Sequence, residues 1–183
     1  GIYSESYSGG KITSPLSRTG YDAIIIEGQS SFPIFLEISD EEVLFHSASL
    51  LWGKDTYEAE EAILKKVGRQ DAGALVIGPA GENLVKFAVM EIERWRSLGR
   101  AGIGAVMGSK KLKGIVFHGK KRREVADLPL LKRLSKEFKD RVKDNPTVHI
   151  YKKYGTPMLV SIMNTIGAFP TRYWSQGTLE GWE

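Results

Sequence analysis

Apolar residues in the first two-thirds of the chain occur in short runs between glycines and polar turns, which is the pattern of β-strands. Residues 21–28 (YDAIIIEG) predict a buried strand, because three isoleucines stand together and Gly20 and Gly28 bound the run. The runs PIFLEIS and EVLFHS lie on either side of Asp40 and Glu41 and predict an antiparallel hairpin. Three further strands are predicted, one in LKGIVFHG (112–119) and two in GALVIGPAGENLVKFAVMEI (73–92).

Other segments have the spacing and end signals of helices. In GKDTYEAEEAILKKVG (53–68), Asp55 or Thr56 can cap the start, acidic residues fill the first turn, lysines fill the last turn, and Gly68 ends the helix. A shorter helix is expected from Lys11 to Thr19. Two more are expected in DLPLLKRLSKEFKDRVKD (127–144), with Asp127 as its cap, and in TPMLVSIMNTIG (156–167).

This order of elements predicts an α+β fold of mainly antiparallel β-sheets with helices, followed by a helical region. The basic stretch GKKRREVAD (119–127) is interpreted as the connector. We therefore expect an α+β domain over residues 1–124 and the start of a helical second domain over residues 125–183.

Composition and charge limit the kinds of site and ligand that this chain can have. The chain contains no cysteine, so it holds no disulfide and no thiolate metal site of its own. A net charge of +4 and a pI near 9.2 suit an anionic ligand, but they are not a nucleic-acid signature by themselves. No apolar run is long enough to span a membrane and no signal-peptide pattern is present, so we expect a cytoplasmic protein with no membrane span.

The most glycine-rich segment, GRAGIGAVMGSKKLKGIVF (99–117), raises the possibility of a phosphate-binding turn. A dinucleotide-binding motif requires a buried strand that leads into G-x-G-x-x-G, and here Gly108 comes one residue too late after Gly104. A P-loop requires Gly-Lys-Ser/Thr, whereas this chain has Gly108-Ser109-Lys110. Both nucleotide-binding interpretations are therefore rejected.

Two small-residue turns remain as candidates for binding an anion. Arg94 and Arg96 precede the glycine-rich segment and Arg100 lies at its start, and guanidinium groups beside exposed backbone N–H groups suit a phosphate. A second turn, YSESYSGGK, ends in Gly9 and Gly10 at the head of a predicted helix. Together the turns suit a ligand with two anionic ends, and the residues alone leave open the alternative of tight turns with solvated arginines.

Other polar residues are given structural interpretations. The three histidines share no metal-ligand spacing and are expected to be surface or hydrogen-bonded side chains: His46, His118 and His149. A second group is expected to form a solvated helix face: Glu58, Glu60 and Glu61. Glu82 and Asn83 receive no role. A basic group could attract nucleic acid but lacks interleaved aromatic residues, so no nucleic-acid partner is expected: Lys110, Lys111, Lys113 and residues 120–123.

Several segments together resemble the N-terminal part of the tungsten-containing aldehyde ferredoxin oxidoreductase family. The similarity is strongest in GPAGENLVKFA and AGIGAVMGSKKLKGIV. The remaining matches follow in the order and at the spacing of the family: SGG, GYDAIIIEG, LWGKDTYEAEEAI and KYGTPMLVSIMNTIGAFP. The resemblance therefore covers almost the whole chain.

The resemblance implies a domain on which a tungsten bis-pterin cofactor lies, with a Mg²⁺ ion between the pterin phosphates. The implied phosphate and pterin contacts come from two turns: Ser8, Gly9 and Gly10 in the first, and Arg96, Ser97, Gly99 and Arg100 in the second. The implied Mg²⁺ ligands are the backbone carbonyls of Tyr7 and Ser97. No catalytic residue is implied in this chain.

The chain departs from the family pattern at three positions. Tyr7 stands where a familiar member has asparagine, which preserves a carbonyl ligand but not an amide side chain. Leu98 and Ala101 are bulkier than the residues common in the second turn. Family members also bind a [4Fe–4S] cluster through cysteines, which this chain lacks. We therefore interpret the chain as a fragment that lacks the N-terminal part of its first domain and the cluster ligands.

The resemblance implies an oxidoreductase that interconverts aldehydes and carboxylic acids. The metal is expected to be tungsten rather than molybdenum. The implied partners are ferredoxin or another electron carrier and the rest of the same polypeptide, and a homodimer is left open. Two alternatives remain. One is a tungsten-dependent reductase of an aromatic acyl-CoA thioester from the same family, and the other is a non-catalytic module that binds a pterin or anion.

Overall fold

A computed structural model describes residues 3–181 of the chain. Within it the chain forms two compact units, Gly1–Glu124 and Val125–Glu183. The first unit contains the sheet and the second contains helices, and each is described separately below.

The first unit is built on one six-stranded sheet with the strand order β2-β1-β6-β3-β4-β5. Its strands are β1 (Ile34–Ile38), β2 (Val43–Ser47), β3 (Gly73–Val76), β4 (Met90–Ile92), β5 (Arg96–Leu98) and β6 (Leu112–Phe117). Four of the five strand pairs are antiparallel, and only β1 and β6 run parallel. The predicted α+β fold with mainly antiparallel strands is therefore confirmed, as is the hairpin of β1 and β2.

Helices cover both faces of this sheet. They are α1 (Thr13–Thr19), α2 (Thr56–Val67), the single turn α3 (Pro79–Glu82) and α4 (Ile103–Ser109), which follows a 3₁₀ turn at Arg100–Gly102. The end signals of α2 act as predicted, since the Asp55 carboxylate accepts the Glu58 N–H at 2.8 Å and Gly68 ends the helix at φ 67°. Helix α2 therefore lies where its sequence pattern predicts.

The core consists of two apolar layers, one on each face of the sheet. On one face Phe35 and Val116 pack with Ala59 and Ile63 of α2. On the other face, alternate residues of β1 and β6 pack with Ile12, which directly precedes α1, and with Met107 of α4. These strand residues are Leu36, Ile38, Ile115 and Phe117. The central strand β6 is buried along its whole length, because it has a neighbouring strand on each side and helices over both faces.

Residues 21–28 do not form the predicted strand. The segment joins no ladder of the described sheet, and Ile25 is 85% exposed. Only Ile26 packs against the core, while Ile24 and Ile25 line an open pocket on the sheet face that carries Leu36 and Ile38. Three adjacent β-branched residues favour extended backbone, but a strand also needs a partner strand that offers hydrogen bonds, and none does so here.

The two strands predicted between residues 73 and 92 are confirmed, and a short helix lies between them. Strand β3 leads into α3, and β4 begins only at Met90. The next strand, β5, was not predicted, because the sequence EIERWRSLGR is polar. It forms since β4 offers it an antiparallel partner across a three-residue turn.

The glycine-rich segment forms the 3₁₀ turn, α4 and β6, and its helix α4 packs backbone against backbone. A Cβ atom at Gly104 would collide with the Val89 carbonyl oxygen, and one at Gly108 would collide with the Gly81 carbonyl oxygen. Gly102 meets the Lys86 carbonyl in the same way and also adopts a φ of 63°. These glycines therefore allow α4 to approach α3 and the segment that follows α3. Gly99 differs, because a Cβ atom there would have only Val89 Cγ1 within 4 Å, at 3.7 Å.

We predict that Gly108→Ala destabilises the 183-residue chain by about 1–3 kcal/mol, the range of overpacked cores. Alanine itself favours a helix over glycine, so a loss would come from the collision with the Gly81 backbone. Urea denaturation measures it. Gly99→Ala is the matched control, because Gly99 has a φ of −96° and space for a methyl group. Equal stabilities of the two variants would contradict the packing explanation.

The second unit is helical, as the sequence predicts. It contains α5 (Leu128–Val142), α6 (Pro146–Tyr154) and α7 (Leu159–Thr165), with a 3₁₀ turn at Thr156–Met158 before α7. Asp127 caps α5 by accepting the Leu130 N–H at 2.8 Å. Helix α6 was not predicted, although Asn145 is a suitable cap and Pro146 a suitable first residue. No helix among residues 3–181 is long and apolar enough to cross a membrane.

Candidate anion-binding site

The two turns selected from the sequence lie against each other in the first unit. The Arg100 backbone N–H donates to Ser6 Oγ at 3.1 Å, across 94 residues of chain. A Cβ atom at Gly10 would lie 3.3 Å from Cγ of Arg96. The two segments are therefore in contact, and their binding of a pterin phosphate stays a prediction.

The first turn comprises residues 6–10 and leads into α1. Gly10 has a φ of 111°, which only glycine adopts at low cost, and its carbonyl accepts the Thr13 hydroxyl at 2.9 Å. The Tyr7 side chain is exposed and its hydroxyl donates to Glu5 Oε2 at 2.9 Å. Ser8 and Gly9 complete the turn, and the space around Gly9 is open. Its backbone can therefore be approached by a ligand.

The second predicted turn is only partly a turn. Arg96 and Ser97 belong to β5, Gly99 follows the strand, and Arg100 opens the 3₁₀ turn. The Ser97 hydroxyl donates to Glu91 Oε1 of the neighbouring strand at 2.6 Å. The Ser97 hydroxyl is therefore already bonded to Glu91.

Two arginines of this site carry uncompensated charge. Among residues 3–181, neither Arg96 nor Arg100 has an acidic partner within ion-pair distance. The nearby Arg94 differs, because its guanidinium lies 3.4 Å from Glu61 Oε2 and 5.6 Å from the centre of the Tyr57 ring. Arg96 and Arg100 are therefore available to an anionic ligand, and guanidinium groups bind phosphate well.

The β4–β5 turn that leads to Arg96 is held by a buried carboxylate. Glu60 of α2 accepts the Glu93 N–H at 3.0 Å and is only 6% exposed. Burial raises the pKa of Glu60, and the backbone hydrogen bonds from Glu93 and Arg94 offset part of that rise. The expectation that Glu60 is solvated is wrong; its position three residues before the buried Ile63 was the signal that could have placed it on the inner face of α2.

Glu93 stands at the contact between the two turns. Its Oε2 lies 2.9 Å from the place where a Gly10 Cβ would be. Its Oε1 is buried and has no hydrogen-bond partner among the described residues. Glu93 was not predicted from the sequence, because a single polar turn residue gives no sign of such a contact.

Two further residues that were given surface or undefined roles form a buried ion pair. Lys113 Nζ pairs with Glu82 Oε1, and Lys113 also donates to the Lys54 carbonyl at 2.7 Å. Glu82 Oε2 accepts the Gly53 N–H at 2.7 Å. Burial lowers the pKa of Lys113, while the hydrogen bond to Glu82 opposes that change. Lys113 is thus not a surface cation, as its place within the apolar strand β6 could have indicated.

The histidines are hydrogen-bonded, as expected. His46 Nε2 and His118 Nε2 lie 2.7 Å and 2.8 Å from the two carboxylate oxygens of Glu37. Burial alone would raise the pKa of Glu37, but the hydrogen bonds from His118 and His46 outweigh it and lower the pKa. No group of three or more histidine and acidic side chains among residues 3–181 could hold a metal ion.

We predict that this cluster makes folding stability depend on acid pH. Because the folded-state pKa of Glu37 is lowered from 4.5, its contribution is present above that value and is lost as pH falls through the lower folded pKa. The unfolding free energy of Glu37→Gln should therefore fall less below pH 4.5 than that of the wild type. Denaturation series between acid and neutral pH measure this, with the exposed Glu41→Gln as control; identical acid slopes would contradict the prediction.

Two family profiles match this chain. The profile described as "Aldehyde ferredoxin oxidoreductase, N-terminal domain" matches residues 1–119. The profile described as "Aldehyde ferredoxin oxidoreductase, domains 2 & 3" matches residues 133–183. The candidate anion-binding site lies wholly within the first match.

Individual relatives agree with the profiles. The chain is 43% identical over 181 residues to the tungsten-containing aldehyde ferredoxin oxidoreductase of Thermococcus kodakarensis and 39% identical over 178 residues to that of Pyrococcus furiosus. These alignments cover 98% and 97% of this chain but only 30% and 29% of the relatives.

A solved structure is also similar. The active-site complex BamBC of benzoyl coenzyme A reductase with 1,5-dienoyl-CoA shares 40% identity at a TM-score of 0.71, over 75% of this chain and 21% of that one. Fold, profiles and relatives agree with the resemblance first found in the sequence motifs. This chain corresponds to the N-terminal domain and to part of domains 2 and 3 of these enzymes. It belongs to the aldehyde ferredoxin oxidoreductase family of tungsten oxidoreductases.

Proposed function

We propose that this chain holds the phosphate end of a tungsten bis-pterin cofactor in an oxidoreductase that interconverts aldehydes and carboxylic acids. The observation that carries the proposal is the contact between the Ser6–Gly10 turn and the Arg96–Arg100 segment, with two arginines that lack acidic partners among the described residues. A cofactor with two phosphates requires two anion-binding segments side by side, and this pair supplies them.

The residues present fit such a cofactor. In this proposal Ser8, Gly9 and Gly10 bind one phosphate, and a second set binds the other: Arg96, Ser97, Gly99 and Arg100. The open backbone at Gly9 and the buried, unpartnered Oε1 of Glu93 are features that an anion and a cation would complete. The backbone carbonyls of Tyr7 and Ser97 are the proposed Mg²⁺ ligands.

The cofactor and the residues of this chain have different chemical roles in this proposal. When bound, the cofactor supplies the metal centre for two-electron oxidation and reduction. The residues of this chain position its phosphates and neutralise their charge. Because the chain has no cysteine, the ligands of a [4Fe–4S] cluster would belong to other parts of the full-length protein, and ferredoxin or another carrier would accept the electrons.

A second substrate class has its own support. The similar BamBC structure contains a dienoyl-CoA, at 40% identity to this chain. Reduction of an aromatic acyl-CoA thioester is therefore the alternative activity, with the same cofactor and the same phosphate-binding residues. A non-catalytic module that binds a pterin or anion is the third possibility.

The test is metal and pterin analysis of the purified full-length protein that contains this chain, followed by activity assays. We expect tungsten, iron and a pterin, together with ferredoxin-linked oxidation of an aldehyde. Molybdenum in place of tungsten would change the metal assignment only. Turnover of an aromatic acyl-CoA without aldehyde oxidation would favour the alternative, and absence of tungsten, molybdenum and pterin would contradict the proposed function.

A further inference from the structure

The Glu93 carboxylate is the polar group of this site whose environment is not explained by the contacts within the chain. Its Oε1 is buried, accepts no hydrogen bond from the described residues, and forms no ion pair with them. A buried carboxylate oxygen without a donor or a cation is costly, by more than a neutral polar group would be. The site therefore lacks a positive partner at this atom.

The backbone holds Glu93 firmly in this position. Glu93 and Arg94 have φ values of 52° and 63°, a left-handed conformation that non-glycine residues adopt at a cost. The Glu93 N–H is fixed by the buried Glu60 carboxylate at 3.0 Å. The chain thus maintains an unfavourable backbone that directs this carboxylate against Gly10.

The location adds an electrostatic problem. Glu93 Oε2 lies 2.9 Å from the Cβ position of Gly10, in the turn to which a phosphate is assigned above. Glu60 brings a second carboxyl group to the same hairpin. The Glu93 carboxylate beside a phosphate would repel it unless a cation lay between the two. Mg²⁺ commonly meets this situation, because it binds through one or two carboxylates together with phosphates and water.

We propose that the Glu93 carboxylate, through Oε1, is a ligand of the divalent cation at the contact of the two turns, either directly or through one bound water. This inference rests on the proposed function, which places Mg²⁺ near the carbonyls of Tyr7 and Ser97. It adds a side-chain ligand to a site otherwise built from backbone carbonyls and phosphates. It also explains why a glutamate is kept in a left-handed turn beneath Gly10.

The test uses the full-length protein with Mn²⁺ as a spectroscopic substitute for Mg²⁺. Mn²⁺ is titrated into wild type and Glu93→Gln after removal of bound divalent ions, and free Mn²⁺ is followed by electron paramagnetic resonance. We expect at least tenfold weaker Mn²⁺ binding in Glu93→Gln and a lower ratio of magnesium to tungsten in the protein as purified. Glu61→Gln is the control, because it removes one negative charge from an exposed neighbour of the same hairpin.

A second variant separates ligand loss from misfolding. Glu93→Asn also removes the charge, and asparagine tolerates a positive φ better than most residues. Weaker Mn²⁺ binding in both folded variants, with unchanged binding in Glu61→Gln, supports the proposal. Wild-type affinity in a folded Glu93 variant, or an equal loss in Glu61→Gln, overturns it.

Failure of this inference can be distinguished from failure of the proposed function. If the wild-type protein carries no tungsten, molybdenum or pterin, the proposed function fails. The Mn²⁺ titration is then repeated with added inorganic pyrophosphate as the phosphate source, and the same comparison of variants decides the role of Glu93. If the protein carries tungsten and both Glu93 variants keep their magnesium, only the role of Glu93 is overturned.

Discussion

Replacing Lys113 with methionine is expected to destabilise the 183-residue chain by about 3–5 kcal/mol, the usual cost of removing one partner of a buried ion pair. The Lys113 side chain is fully buried, and its substitution would leave the Glu82 carboxylate and the Lys54 carbonyl without their common donor. Methionine has a similar length, so little packing volume is lost. Urea denaturation followed by circular dichroism measures the change.

A double variant tests whether the cost arises from the stranded carboxylate. In Lys113→Met/Glu82→Gln the remaining side chain is neutral and can still accept the Gly53 N–H, which now binds Glu82 Oε2 at 2.7 Å. We expect it to be more stable than Lys113→Met alone. Lys54→Met is the control for loss of a lysine charge at an exposed position nearby. A loss below 1 kcal/mol in Lys113→Met would contradict a structural role for the pair.

The parts of the fold that the sequence predicts are those controlled by near neighbours. Asp55 and Gly68 bound α2 because a cap carboxylate and a left-handed glycine act within one helical turn. Asp40 and Glu41 lie in the turn of the β1–β2 hairpin, whose strands pair from Ile34–Ser47 to Ile38–Val43. Local chemistry suffices for such elements.

The sequence-based predictions are wrong where a residue's structure or burial depends on a partner distant in the sequence. Three isoleucines at 24–26 favour a strand, but no described strand pairs with them. Lys113 is a charged residue that reads as a surface group until Glu82, 31 residues away, is placed beside it. Glu60 is predicted to be solvated until the β4–β5 hairpin covers it, with Glu93 of the turn, 33 residues away, as its hydrogen-bond donor. Burial of a charge depends on contacts that no local pattern contains.

The candidate site shows the same division. The chemistry of the residues singles out the Gly9–Gly10 turn and the arginines as candidates, while Ser97 and Gly99 were added only by the family resemblance. Their juxtaposition depends on the sheet, which places β5 at one edge and lets Arg100 reach Ser6 across 94 residues. The most prominent glycines proved to have another purpose, since Gly104 and Gly108 permit close backbone packing. A glycine-rich segment therefore indicates that another group lies close to the backbone. Whether that group is a ligand or another part of the chain needs a second observation.

The largest functional effect is expected from the two arginines without acidic partners. Each of Arg96→Ala and Arg100→Ala should weaken cofactor retention by about tenfold to a hundredfold, the value of one hydrogen bond between charged groups. The double variant should retain almost no cofactor. The apo fold should persist in all three, because neither guanidinium forms an ion pair with the described residues. Tungsten and pterin content per full-length protein measures occupancy, and thermal unfolding of the cofactor-free forms measures the fold.

Arg94→Ala is the matched control for this prediction. Arg94 lies two residues from Arg96 in the same hairpin, but its guanidinium already pairs with Glu61 at 3.4 Å and lies over the Tyr57 ring. Its removal changes the net charge by the same amount, so a general electrostatic attraction would weaken retention equally in all three single variants. A direct phosphate contact predicts instead that Arg96→Ala and Arg100→Ala lose cofactor while Arg94→Ala retains it. Equal losses would show that the positive field of the hairpin, and not two specific hydrogen-bonding side chains, holds the anion.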